Sequence, residues 1–259
     1  MASSLVLAEG YGMCPHEVTP VNGESCGLVS VGEGKLAWTV RDAGHVVCWD
    51  ACTEAIEWTA TDCGMPHSAT HVVSTLANRL WVTDTENDRI CWINVETGEF
   101  EGFVPFPGSP TGATVGGKTM AQPHGITSFE EDEEVVGGCR VWVADTGNNR
   151  ALGFGIGDAQ AQRSIGSDIF DHPMDVAAIT GGSLAVVCRR GGHVFRAASG
   201  ELIFMFNHHF MSPNALAFDP RGLLSVLDEY TDRLMIFCAS TGEHMRTIGD
   251  TGLGSGTGV

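Results

Sequence analysis

Gln122-Pro123-His124-Gly125-Ile126-Thr127, followed after an acidic insertion by Val141-Trp142-Val143-Ala144-Asp145-Thr146-Gly147-Asn148-Asn149-Arg150-Ala151-Leu152-Gly153-Phe154, is the stretch on which the fold turns. Its second half is two short apolar runs divided by a polar turn, the pattern of adjacent antiparallel strands. The pattern recurs. Met65-Pro66-His67-Ser68-Ala69 precedes Leu80-Trp81-Val82-Thr83-Asp84-Thr85-Glu86-Asn87-Asp88-Arg89-Ile90-Cys91-Trp92, and Ser212-Pro213-Asn214-Ala215-Leu216 precedes Leu224-Ser225-Val226-Leu227-Asp228-Glu229-Tyr230-Thr231-Asp232-Arg233-Leu234-Met235. Each copy has an aspartate at the end of one apolar run and an arginine at the start of the next.

Two degraded copies fill the intervals. Pro173-Met174-Asp175-Val176-Ala177 leads to Leu184-Ala185-Val186-Val187-Cys188, with Gly191-Gly192-His193 in place of the Asp-Arg turn. Ser25-Cys26-Gly27-Leu28-Val29 leads to Trp38-Thr39-Val40-Arg41 and His45-Val46-Val47-Cys48-Trp49. Taking Arg41, Asp84, Asp145, Cys188 and Asp228 as equivalent gives a spacing of about 40 residues, the period of four-stranded propeller blades. The one longer step holds a Gly/Pro/Thr stretch at 105–120 and an acidic loop near 130–140. Segments such as 99–104 and 244–249 supply a fourth strand, and no long window shows helical periodicity. The expectation is one all-β domain over residues 1–259, a β-propeller with five recognisable four-stranded blades.

Closure stays open at this level. Leu5-Val6-Leu7-Ala8 resembles a fourth strand, and residues 250–259 resemble the approach to another blade. A five-bladed ring, a partial sixth blade and a piece of a longer polypeptide all fit.

The repeat resembles the NHL family across roughly residues 25–249, on the strength of the three strong copies in register. The resemblance implies a propeller, usually of six blades, that binds proteins or RNA, with a minority of enzymes. Within it, Pro66-His67 and Pro123-His124 are similar to the Pro-His motifs of the peptidyl-α-hydroxyglycine amidating lyases, where such histidines hold zinc. The departures are specific. His67 and His124 fall in adjacent copies where that family uses alternate ones, Thr85 stands where it has an active-site arginine, and Tyr11 and Tyr230 are the only tyrosines.

From the residues themselves, several neutral imidazoles converging on a ring axis suit a divalent metal such as Zn. The candidates are His67 and His124, with His16 of Pro15-His16 as a third. Against this stands the plain alternative that Pro-His is a variant of the entry turn. The repeated Asp and Arg read as structural, because a catalytic site is seldom copied into every repeat.

The chain has 14 Lys plus Arg against 32 Asp plus Glu, a formal charge of −18. Lys35 and Lys118 are its only lysines, so a phosphate-tracking surface is disfavoured and nucleic acid is not the expected partner. Five of the acids form the run Glu130-Glu131-Asp132-Glu133-Glu134, read as a solvated loop. The nine cysteines lack disulfide-scaffold spacing, and Met1 to Glu9 lack a basic leader, so a cytoplasmic location is expected with no membrane segment. No nucleophile elbow, phosphate loop or dinucleotide fingerprint appears. The functional expectation is a binding or scaffold module for a protein or peptide, with a metal-dependent lyase or hydrolase having a His-lined site at the channel mouth as the alternative.

Overall fold

The computed structural model describes residues 25–32, 34–41, 43–61, 69–75, 78–104, 119–129, 138–155, 161–166 and 168–249. His16, His67 and the acidic run at 130–134 lie outside them. The described chain forms five four-stranded antiparallel sheets, each built from consecutive strands, as a five-bladed β-propeller. Blade 1 comprises β1 (Ser25–Gly32), β2 (Lys35–Val40), β3 (His45–Asp50) and β4 (Ala55–Ala60). Blade 2 comprises β5 (Ala69–Thr75), β6 (Arg79–Asp84), β7 (Arg89–Asn94) and β8 (Phe100–Val104). Blade 3 comprises β9 (Pro123–Ser128), β10 (Val141–Asp145), β11 (Arg150–Phe154) and β12 (Arg163–Ile165). Blade 4 comprises β13 (Pro173–Ile179), β14 (Ser183–Cys188), β15 (Gly191–Arg196) and β16 (Glu201–Phe206). Blade 5 comprises β17 (Pro213–Asp219), β18 (Leu223–Asp228), β19 (Arg233–Cys238) and β20 (His244–Ile248).

The middle strands of blades 2, 3 and 4 are buried on both faces, which is why β10 reads as an uninterrupted apolar run, Val141 to Ala144, instead of an alternating one like β18. Alternate side chains go to opposite neighbours. Four hydrophobic clusters occupy the junctions between blades 1 and 2, 2 and 3, 3 and 4, and 4 and 5. Trp81 from blade 2 meets Phe154 of blade 3 with ring centroids 5.8 Å apart, and both are fully buried.

The Asp-x4-Arg turn does two jobs. Within a blade its aspartate, buried at 0% exposure in blades 2, 3 and 5, gathers donors from the turn. Asp145 accepts from Arg150 Nε at 2.6 Å, from the Asn148 amide and from the backbone N–H of Ala121 at 2.7 Å, and Asp84 accepts from Arg89 Nε at 2.6 Å. In blade 5 the oxygens of Asp228 instead accept the N–H groups of Met211, Ser212 and Thr231, and the Arg233 Nε has no hydrogen-bond partner among the described residues. Between blades, the residue after the aspartate donates its hydroxyl to the proline that opens the next inner strand, Thr85 to Pro123 at 2.7 Å and Thr146 to Pro173 at 2.6 Å. The residue before the arginine takes the left-handed conformation that Asn and Asp tolerate, with φ of 54° at Asp88 and 55° at Asn149. Its side-chain oxygen accepts the N–H of the residue just before that proline, Gln122 at 2.7 Å and His172 at 2.9 Å.

Strand pairing revises two sequence alignments. Val40 pairs with His45 as Asp84 pairs with Arg89, so Val40, not Arg41, holds the aspartate position in blade 1. Ala69 pairs with Asp84 as Pro123 pairs with Asp145, so the entry of blade 2 is displaced along the chain from Pro66-His67. β5 begins with Ala69 and carries its bulge between Ala69 and Val72, so no proline marks the described start of the blade 2 inner strand.

Replacing Asp145 with alanine strands Arg150, which is only 3% exposed, without its carboxylate. Asp145→Ala should therefore cost about 3–5 kcal/mol in chemical denaturation, as for a broken buried ion pair. A loss below about 1 kcal/mol, the range of exposed pairs, would contradict the structural role assigned to the turn.

Candidate functional site

The five inner strands β1, β5, β9, β13 and β17 line one cavity of about 390 Å³. In each blade a bulge follows the first residue of the inner strand, and the residue closing that bulge sits at an equivalent level: Gly27, His71, Gly125, Asp175 and Ala215. A bulge leaves an amide outside the ladder, so a partner must be found for it. Blades 1 and 2 solve this with a buried threonine: the N–H of Gly27 donates to Thr39 Oγ1 at 2.9 Å and that of His71 to Thr83 Oγ1 at 3.1 Å.

Blade 4 has Val187 in place of that threonine and a carboxylate at the bulge. Asp175, 6% exposed, accepts the N–H of Val176 on Oδ1 at 2.8 Å and the N–H of Leu216, from blade 5, on Oδ2 at 2.7 Å. Its carboxylate lies directly over Gly125 of blade 3, where an added Cβ would stand 1.9 Å from Oδ1 and 2.5 Å from the Asp175 Cα. Asp175 thus touches three blades, and only glycine at 125 leaves it room. Burial pushes its carboxyl up to about 7 against the two amide donors, which pull the other way.

His71 and His124 come together at the same end of the inner ring, with ring centroids 6.1 Å apart and planes at 58°. The Nδ1 atoms of both are buried without a hydrogen-bond partner among the described residues. Burial first, then the neighbouring His124, lowers the His71 imidazole to about 4, and burial followed by the Arg41 guanidinium lowers that of His124. Both rings are therefore neutral near pH 7, each with a lone pair that can accept a hydrogen bond or a metal. Among the described residues no group of three His, Cys, Asp or Glu side chains is arranged to hold a metal ion.

The sequence-derived candidates separate on this geometry. His124 is at the inner ring, while His67 and His16 lie outside the described residues. His71, four residues beyond His67, follows no proline, and only the strand register marks it. Thr85, at the position where the resemblance implied an arginine, is spent on the Pro123 carbonyl. His208 and His209 lie between β16 and β17 as expected of a loop, and His208 stacks on His244 with centroids 3.6 Å apart and planes at 5°. His193 is a core residue, 5% exposed against Phe170 and Phe195.

At the end of the ring where inner strands begin, the rim of blades 4 and 5 is different in character. The β14–β15 turn presents Arg189 and Arg190, the latter with 85% of its side chain exposed beside Asp171 at 3.2 Å. Met211 and Tyr230, 58% and 74% exposed, lie on the adjoining turns, joined through the Glu229 N–H to the Ser212 carbonyl.

No family model and no curated protein matches the chain. Solved structures do. A chain of a nidogen/laminin complex aligns with a TM-score of 0.69 at 14% identity, covering 87% of this chain and 80% of that one. Virginiamycin B lyase from Staphylococcus aureus aligns with a TM-score of 0.66 at 15% identity, covering 87% and 69%, and hydrazine synthase of Kuenenia stuttgartiensis with 0.68 at 16%, covering 90% and 68%. The likeness is one of fold. At these identities it extends to the propeller and stops there. No helix among the described residues is long and apolar enough to cross a membrane.

The two buried groups give pH signatures of opposite sign. The folded state holds a proton on Asp175 between the ordinary carboxyl value of 3.8 and about 7, so that contribution to stability is complete below 3.8 and is lost as pH rises to 7. The Tm of the wild type minus that of Asp175→Asn should fall across this window; a flat difference would remove the buried acid. His71 is neutral in the fold below its ordinary 6.5, so its contribution is lost as pH falls from 6.5 through 4. The wild type minus His71→Phe should therefore fall on acidification, and a rise would contradict its burial.

Proposed function

We propose that the chain is a single propeller domain of the NHL type, over residues 1–259, that serves as a binding or scaffold module for a protein or peptide. The observation that supports this reading most is the rim of blades 4 and 5. Exposed Tyr230 and Met211 offer a large aromatic and a flexible apolar contact, residue types favoured at interfaces. Arg189 and Arg190 lie on the corresponding turn of the neighbouring blade, on a chain whose formal charge is −18, and offer a partner positive charge there. The chemistry selects a peptide with an apolar anchor next to an acidic residue. Loops held on a rigid ring suit such a task. The nidogen/laminin complex, in which a propeller of the same fold belongs to a protein assembly, is consistent with it.

Peptide display against the folded chain should enrich sequences pairing an aromatic or aliphatic residue with Asp or Glu. Tyr230→Ala combined with Arg190→Glu should lower the affinity of the enriched peptides at least tenfold, with Tm unchanged because both side chains are exposed. Enrichment that survives the double variant, or none at all, would sink this assignment of the surface.

A second reading, a metal-dependent lyase or hydrolase, rests on one observation, the pair of neutral imidazoles of His71 and His124. Zn would take two ligands from these rings, with His67 and, more remotely, His16 as further candidates. The lyases of the same fold, virginiamycin B lyase and streptogramin B lyase, make it worth separating from the first. Metal analysis of the purified protein decides: a stoichiometric divalent ion lost in His71→Ala/His124→Ala supports the reading, and its absence, or its persistence in that variant, rejects it.

A further inference from the structure

In blades 2 and 3 the arginine of the repeated turn is fully occupied. Arg89 is held by Asp84 at 2.6 Å and its guanidinium lies 4.4 Å from the centre of the Phe103 ring, and Arg150 is held by Asp145 at 2.6 Å. Arg233 of blade 5 has neither kind of contact. The oxygens of Asp228 are taken by the N–H groups of Met211, Ser212 and Thr231, and among the described residues Arg233 forms no ion pair. Its Nε is buried with no hydrogen-bond partner among them. Thr247 pairs with Met235 as Phe103 pairs with Cys91, so a threonine stands where Phe103 lies against Arg89. Guanidinium stays charged at any working pH, and a buried N–H of a charged group without an acceptor is costly.

The groups around Arg233 are basic as well. Arg233 shares a face of β19 with Met235 and Phe237, which pack towards blade 4. On that side His244 meets Phe237 edge-on with centroids 5.5 Å apart, and His208, from the linker between blades 4 and 5, stacks on His244 at 3.6 Å. The ring of His209 is centred 5.8 Å from that of His208. Thr247 Oγ1 lies 2.9 Å from His244 Nε2, which holds that ring against the outer strand. Burial first, then the charges of His244, His209 and Arg233, lowers the His208 imidazole, so the charges acting on it from the linker, β19 and β20 are all of one sign. A cluster of bases without an acid stands on a chain whose formal charge is −18.

We propose that this cluster is a binding site for a phosphate group, with the Arg233 guanidinium as its fixed charge and the His208 and His209 imidazoles as further donors. The planar fork of guanidinium matches phosphate oxygens, and a dianion answers several cations where a carboxylate answers one. Protonation of His208 beside Arg233 and His244 is unfavourable in the free protein. A bound dianion removes that penalty, so binding takes up a proton and strengthens as pH falls through the ordinary imidazole value of 6.5. The site uses none of the residues assigned to peptide contact and stands whether or not that assignment holds.

Titration of the full chain with inorganic phosphate and with phosphoserine, at constant ionic strength in chloride, tests this. The imidazole signals of His208 and His244 should shift saturably in NMR spectra, and Arg233→Gln should weaken binding about tenfold or more. The tighter of the two ligands names the source, a free ion or a monoester. Acetate should bind about tenfold more weakly than either. Sulfate, whose charge is constant, should bind about tenfold more tightly near pH ~5.5 than near pH ~7.5. In phosphate-free buffer Arg233→Gln should leave Tm within about 1–2 °C, because no partner is stranded, whereas Arg89→Gln should lower it by about 4 °C or more. If Arg233→Gln does not fold, His208→Gln reads the same loss of binding. Signals that do not shift, a shift that survives these variants, acetate bound as tightly as phosphate, sulfate affinity that is flat with pH, or a Tm loss in Arg233→Gln equal to that in Arg89→Gln would each overturn the proposal.

Discussion

The structure depends on a short polar turn that binds two blades at once. The buried aspartate at its start holds the turn together, the threonine after it takes the next blade's proline carbonyl, and the Asx residue before the arginine takes the next blade's entry amide. These bonds tie blade 2 to blade 3 and blade 3 to blade 4. Apolar packing then fills the wedge between them, with Trp81 against Phe154 as the largest instance. The hydrophobic clusters supply most of the driving force, but burial alone is non-directional and would not choose a ring over a stack. Direction comes from the turn.

The inner strands inherit their positions from these turns, and the channel chemistry follows. A bulge at the head of each inner strand frees an amide, and whichever residue satisfies it decides what faces the channel. Threonine does so in blades 1 and 2, beside Gly27 and His71. In blade 4 Asp175 spans three blades, at the expense of a buried carboxyl whose ionisation is disfavoured. The His71 and His124 pair arises from the same geometry, because the bulge of blade 2 brings His71 to the level at which His124 enters from blade 3.

The fold was legible because its signals are periodic. Trp142 to Ala144, Leu80 to Val82 and Leu224 to Val226 alternate with polar turns at a regular interval, and strand type, blade number and the structural role of Asp84, Asp145 and their arginines followed. The site was legible only in part. His124 stands after a proline that also opens the strand, so motif and structure agree there. In blade 2 the described inner strand starts at Ala69 with no proline to mark it, and His71 lies hidden in Thr70-His71-Val72. Asp175 was quoted as part of a degraded repeat, yet nothing local marks it as a bridge. Its role depends on Gly125 and Leu216, distant in sequence and adjacent only once the ring has formed.

The claim that these turns, and not packing alone, couple the blades is tested most directly by native-state hydrogen exchange at the amides of Gln122 and His172, which accept no role in any strand ladder. The account predicts protection close to that of the inner-strand amides Ile126 and Val176, because opening them requires parting two blades. Exchange at the rate of an unstructured loop would show that the blades are held by apolar contact alone.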